Sequence, residues 1–248
     1  MNVTNAILSR EEISGINIQL TGEKMKAVIF DFNGTMIFDT KMNEVSWREF
    51  IKKYTNRVAA DEEMIKYVHG QPNTNTIRHY INRELTDEEV AAYSEEKEVL
   101  YRALCLTENE LFKLVKGLEP LLDRLKGRGI PFTIATAACK NNVEFYFEQF
   151  GLSRWFSIDK IVYDDGTLPG KPEPDVYLRA CKIFNMEPKD CIVVEDSLAG
   201  LMAAERAGVG RIIAMVSTLD ISTIQNQSMA DAFIEDFDGF EKVAGLEE

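Results

Sequence analysis

Histidine is nearly absent from this chain. His69 and His79 are the only two in 248 residues, and Cys105, Cys139, Cys181 and Cys191 show no paired ligand spacing. A zinc site is therefore not expected, and free thiols in a reducing cytosol are the simplest reading of the cysteines. No segment approaches the ~20 consecutive apolar residues that a membrane helix needs. The N-terminus, MNVTNAILSREEISG, lacks the basic start and apolar block of a secretory signal. Positive charge is also scarce: 28 Lys and Arg stand against 41 Asp and Glu, a formal net charge of −13. That balance argues against nucleic acid, whose phosphates need a basic face. A cytoplasmic protein with a small-molecule partner, monomeric or weakly dimeric, is the expectation. A small anionic substrate would need local positive charge at its site.

What is present is the pattern of a buried sheet. In Lys26–Asp39, KAVIFDFNGTMIFD, the apolar run Ala27–Phe30 suits a strand buried on both faces, as in a parallel sheet. Gly34 lets the chain turn sharply just after it. Asp31 then stands at the carboxyl end of a central strand, where open α/β sheets bind their ligands. From Asn43 to about Lys116 the apolar residues recur at helical spacing, as in Val45/Phe50/Ile51/Tyr54 and Met64/Ile65/Val68, and no strand is predicted. Thr86-Asp87-Glu88-Glu89 reads as an N-cap followed by first-turn acids. His69–Asn75 reads as a polar loop between two helices, Glu95–Glu98 as a solvated helix face, and Trp47 and Trp155 as packing residues.

From Leu118 helix and strand alternate. Helices are predicted over 119–126, 142–150, 174–184 and 197–207, and strands over 131–137, 161–163, 191–194, 211–216 and 232–234, before a terminal helix. The fold expected is α/β, a doubly wound, Rossmann-like parallel sheet with an inserted all-α cap. The expected division is an α/β core over residues 25–40 and 117–248 and a helical cap over 41–116. Residues 1–24 form an N-terminal extension, read either as an upstream start or as a small edge hairpin around Gly22.

Four polar features fall at strand ends or loops, in order. They are Asp31 with Asn33-Gly34-Thr35, then Thr136, then Lys171 in Gly170-Lys171-Pro172, then Glu195-Asp196. A phosphoryl-transfer site wants this inventory. A carboxylate can attack phosphorus and split one hard step into two. A divalent metal shields it, and Mg²⁺ is typically held by one or two carboxylates with water and substrate oxygens; Asp31 and Asp196 fit. Backbone N–H groups after Asp31, the Thr136 hydroxyl and the Lys171 ammonium can bind the phosphoryl oxygens.

At these residues the sequence resembles the haloacid dehalogenase superfamily of aspartyl-phosphate hydrolases, in its β-phosphoglucomutase-like branch with a helical cap. The match runs from about Met25 to the end. Its motifs are Asp31-Phe32-Asn33-Gly34-Thr35, the Thr136 strand, Gly170-Lys171-Pro172-Glu173-Pro174, and Glu195-Asp196-Ser197-Leu198-Ala199-Gly200. The resemblance implies Asp31 as nucleophile and Mg²⁺ held by Asp31, Asp196 and the backbone carbonyl of Asn33, with Glu195 as a further candidate ligand. It implies phosphate binding by Asn33, Gly34, Thr136, Ala137 and Lys171, and substrate selection by cap residues, for which His69, Gln71, Asn73 and Arg78 are the candidates.

One departure concerns catalysis. Phosphatases of this family carry a second aspartate two residues after the nucleophile, as general acid and then base; here that residue is Asn33. General acid–base help is typically worth ~10²–10⁴ in rate. Three accounts stay open: a subgroup with another proton carrier or an easier leaving group, a phosphate-sensing protein with little turnover, or an engineered substitution that traps a bound state. Two further departures argue against a sugar-phosphate mutase. No histidine follows the first motif in Thr40–Glu44, and Asn73 stands where the mutases place an arginine. The expected activity is hydrolysis of a small phosphate monoester.

Overall fold

The computed structural model describes residues 27–108, 110–216 and 229–247. The suggested hairpin around Gly22 lies outside them. Six parallel strands form one sheet in the order β3-β2-β1-β4-β5-β6. They are β1 (Ala27–Phe30), β2 (Phe132–Cys139), β3 (Val162–Asp164), β4 (Cys191–Glu195), β5 (Arg211–Met215) and β6 (Ala232–Ile234). Between β1 and β2 come four inserted helices, α1 (Thr40–Thr55), α2 (Asp61–Tyr67), α3 (Asn73–Tyr80) and α4 (Asp87–Thr107), followed by α5 (Leu118–Gly127). The remaining helices are α6 (Lys140–Phe150), α7 (Asp175–Ile183), α8 (Leu198–Ala207) and α9 (Phe240–Ala244).

The unbroken apolar runs have the reason the sequence suggested. Alternate residues of each central strand enter different cores. Val28 and Phe30 join Ile192, Val194, Ile213 and Met215 under α5, α6 and α9. Ala27 and Ile29 join Val193, Ile212 and Ala214 under α7 and α8. Phe30 meets Phe237 edge-on at 5.8 Å between ring centroids, a favoured aromatic geometry. The inserted helices close on a third core of their own, which includes Trp47, Phe50, Ile51, Met64, Ile77 and Val90.

Local signals set most boundaries. Thr86 caps α4: its hydroxyl accepts from Glu89 N–H at 3.2 Å, and the Glu89 carboxylate accepts from Thr86 N–H at 2.9 Å. Ser197 caps α8 through Gly200 N–H at 3.1 Å. Two expectations need correcting. The polar stretch His69–Asn75 is not all loop, because Pro72 ends it and Asn73 already begins α3; proline suits a helix start, where its missing N–H costs nothing. Strand β2 also runs past Ala137 to Cys139, with a register shift between Ala135 and Cys139 against β3. The insertion is tied at its root, where Val115 N–H donates to Met36 C=O at 2.9 Å.

The strand order reverses about β1: the chain goes to β2 and β3 on one side, then returns to β4 on the other. Such a switch point leaves a crevice at the carboxyl ends of the strands. The loops after β1 and β4 and the distal part of β2 open there.

Candidate active site

Asp31 follows β1 directly, and its N–H still joins the ladder to Val194 C=O at 2.9 Å. Glu195 ends β4 and Asp196 follows it. Both stand beside Asp31 because β1 and β4 are in register, Phe30 against Val194. One carboxylate oxygen from each of Asp31, Glu195 and Asp196 falls within 4.8 Å of the others, and all three residues are buried. Lys171 arrives from the loop before α7. Its Nζ lies 2.6 Å from Asp31 Oδ1 and 2.7 Å from Glu195 Oε1. Three distant chain segments thus converge on one buried charge cluster.

The ionisation of this cluster follows from its surroundings. Burial pushes Asp31 up to about 8, against the pull of the Lys171 ammonium and with the added push of Glu195. Burial works against the Lys171 charge too, but Asp31 and Glu195 outweigh it and hold the ammonium well above its ordinary value. One ammonium beside three acids leaves the cluster short of positive charge whenever the acids are ionised. The donor set is all oxygen, which suits a hard divalent cation.

Glu195 is committed several times over. Besides Lys171, it accepts from Ser197 N–H at 3.0 Å and from Ser197 Oγ at 3.0 Å. It therefore holds Lys171 and the turn into α8 in one arrangement. Two glycines make room for this crowding. A Cβ on Gly34, whose φ is +78°, would lie 2.0 Å from Asp196 Oδ2, and one on Gly200 would lie 1.4 Å from Glu195 Oε1. Gly200→Ala must push Glu195 out of place, and a loss of about 1–3 kcal/mol is expected from overpacking. Urea denaturation checks it; an unchanged midpoint would show that Glu195 has slack.

The other sequence-predicted residues divide. Asn33, Gly34, Thr136, Ala137, His69, Gln71 and Asn73 line the same cavity as Asp31 and Asp196, between the strand-end loops and the inserted helices. Lys171 borders a smaller adjoining pocket with Thr136 and Ala137. Thr136 Oγ1 accepts from Ala138 N–H at 3.1 Å, so its single hydroxyl proton is available to an acceptor. Gly34, expected to bind phosphate, has its N–H donating to Ile37 C=O at 2.8 Å and to Asp39 Oδ1 at 3.0 Å. Arg78 stands apart from these residues. It is exposed on the outer face of α3, bonded to Leu85 C=O and to Asp87, and is not among the described residues of the cavity wall.

Sequence reasoning missed several groups. Asn33 Nδ2 lies 2.7 Å from Asp39 Oδ2 and 2.8 Å from the Tyr146 hydroxyl, and Tyr101 OH donates to Asp39 at 2.6 Å. Asp39, Tyr101 and Tyr146 are buried and line the cavity. Burial raises the Asp39 carboxyl, partly offset by Tyr101 and Asn33. Asp39 closes the opening motif stretch and was open to notice; nothing in the spacing of the tyrosines marks them. The expectation of a solvated face over Glu95–Glu98 also fails at its end, because Lys97 and Glu98 are 4% and 3% exposed. Helix α4 runs along the cavity, so one turn of it faces inward. His69 lies within hydrogen-bond reach of Glu44, Nε2 to Oε1 at 2.9 Å.

Three acids and a lysine thus meet in a buried cluster at the carboxyl end of a parallel sheet. The family model for haloacid dehalogenase-like hydrolases matches residues 25–208, and the chain belongs to that family, among its phosphoric monoester hydrolases. A haloacid dehalogenase-like hydrolase of family IA, variant 3, from Entamoeba histolytica is similar in structure. It is 37% identical, with a TM-score of 0.78 over 90% of this chain and 99% of that one. Hexitol phosphatase A of Escherichia coli is 27% identical over 75% of this chain and 81% of that protein. A phosphorylated carbohydrates phosphatase of Thermotoga maritima is 26% identical over 79% of this chain and 88% of that protein. No helix among the described residues is long and apolar enough to cross a membrane.

Proposed function

We propose that this chain hydrolyses a small sugar or polyol phosphate through an aspartyl phosphate on Asp31, with Mg²⁺ as cofactor. The observation that carries the reading is the convergence of Asp31, Lys171, Glu195 and Asp196 at the sheet's switch point. Relatives named for hexitol and carbohydrate phosphates support the substrate class. Asp31, Asp196 and the Asn33 carbonyl are the proposed metal ligands, with Glu195 adjacent. A bound Mg²⁺ supplies charge shielding for the approach of an anion to an anionic nucleophile.

The chain's own groups do the rest. Asp31 attacks phosphorus and the ester oxygen leaves. Lys171 and the Thr136 hydroxyl, with the backbone about Ala137, hold the phosphoryl oxygens. Water then attacks the same phosphorus and frees Asp31. The inserted helices cover the cavity and exclude bulk water. A Cβ on Gly70 would lie 2.5 Å from Ser197 Oγ, so the loop before α3 sits directly on the core. We place the cap at residues 41–116 and the core at 25–40 and 117–248.

Asn33 cannot carry a proton, so turnover is expected to be slow. Asn33→Asp would put a carboxyl at 2.7 Å from Asp39 Oδ2, where Nδ2 now donates. Two carboxyls at that distance share a proton and keep it to higher pH. A gain of about tenfold or more in kcat is expected; an unchanged or lower kcat would count against the acid/base account. The deciding experiment is phosphate release from a panel of sugar, polyol and nucleoside monophosphates, with Mg²⁺ and with chelator, by this chain and by its Asn33→Asp variant. Mg²⁺-dependent binding without any product would instead show a phosphate-ligand binder.

A further inference from the structure

Lys97 and Glu98 are consecutive on α4, both buried, and both on the cavity wall. Lys97 Nζ donates to Asn43 Oδ1 at 2.8 Å and to Glu98 Oε1 at 2.9 Å, and lies 4.8 Å from the centre of the Trp47 ring. Glu98 Oε1 also accepts from Asn73 Nδ2 at 2.6 Å, and Glu98 Oε2 from Asn142 Nδ2 at 2.7 Å. Glu98 thereby joins the inserted helices to α6 of the core. Burial disfavours its charge, yet Lys97 and the two amides hold its carboxyl below the ordinary range. The two side chains form a buried ion pair, Nζ to Oε1 at 2.9 Å.

We propose that this pair determines specificity at the leaving-group end of the site. It makes that end electrically neutral and rich in hydrogen bonds, fit for an uncharged polyhydroxylated leaving group, and Glu98 is the residue that keeps a second anionic group out. The inference rests on the phosphatase reading above and narrows it. Among the described residues of the main cavity wall, Lys97 is the only lysine or arginine, and Glu98 cancels its charge at contact distance. A second phosphate or a carboxylate arriving there meets no uncompensated cation and must face the Glu98 oxygens. A neutral hydroxyl group meets a better match. An ammonium has three donors and a carboxylate about four lone-pair sites. The bonds above use two of the former and three of the latter. One donor and one acceptor side by side are what adjacent hydroxyls on a sugar or polyol chain can satisfy. Rejection of the charged competitor through desolvation and like charge is how polar sites discriminate.

The test compares two substrates on one protein, so the folded fraction cancels. It uses the hexose monophosphate that the chain hydrolyses best and the matching hexose bisphosphate, and reads the ratio of their kcat/KM values. Glu98→Gln frees the Lys97 charge, and the ratio is expected to shift by about tenfold or more toward the bisphosphate. Lys97→Gln leaves the carboxylate alone and is expected to leave the ratio where it is or move it the other way. A shift below about threefold in Glu98→Gln overturns the proposal. A shift toward the bisphosphate in both variants also overturns it, since that would mark general loosening. Should the unaltered chain release phosphate from no ester at all, the phosphatase reading fails and this inference with it; turnover with an unmoved ratio removes only the role of Glu98.

Discussion

Asp31→Asn is expected to abolish phosphate release, with a fall in kcat on the order of 10⁴–10⁶, as when a nucleophile is removed. The amide has nearly the shape of the carboxylate but cannot displace an ester oxygen from phosphorus. The scaffold should tolerate it. Lys171 keeps its 2.7 Å partner Glu195, and Asp31 sits where burial already pushes its carboxyl toward the neutral form. The variant should therefore unfold near the wild-type urea midpoint. Acid quenching during turnover should trap protein-bound phosphate on the unaltered chain and none on the variant. Substantial phosphate release by a folded Asp31→Asn protein would remove Asp31 from the chemistry.

Lys171→Met is expected to damage both stability and turnover. Lys171 is 2% exposed, and without it three acids face one another in a buried pocket. Removing one partner of a buried ion pair typically costs about 3–5 kcal/mol. Losing a phosphoryl-oxygen donor typically costs about 10²–10³ in rate. The pH dependence has a definite sign. Asp31 binds its proton more tightly folded than unfolded, with a folded value of about 8 against an ordinary 3.8. Its ionisation therefore erodes stability as pH rises through that window, and least below it. The ammonium moderates the effect. Without Lys171 the erosion grows, so the urea midpoint gap between variant and wild type should widen between pH 5 and pH 9 in chelator. A gap that narrowed over that range would show that Lys171 does not hold down the Asp31 proton affinity.

The central strands and their helices were legible because they obey local rules. The runs Ala27–Phe30 and Cys191–Val194 are apolar at every position, which parallel strands covered on both faces require, and the caps at Thr86 and Ser197 are short-range hydrogen bonds. The motif residues were legible because each is anchored to a strand end or the loop beside one. The failures came where a residue's partner is far away in the chain. Glu98 reads as one more acid in a charged run, until Asn142 of the core and Asn73 of α3 close on it. Tyr101 and Tyr146, 45 positions apart, meet each other, and Tyr101 reaches Asp39.

The layer architecture, the strand-end position of Asp31 and the inventory of acids, lysine and threonine follow from local sequence, because periodicity and turn chemistry act within a few residues. How those groups are paired, and which inserted residues see the cavity, emerges from the folded arrangement. Parallel register sets Asp31 beside Glu195 and Asp196, and the packing of α4 against α1, α3 and α6 buries Lys97 and Glu98 out of a charged run. Both depend on contacts between segments many tens of residues apart, and no local pattern encodes which of several similar side chains such a contact will bury.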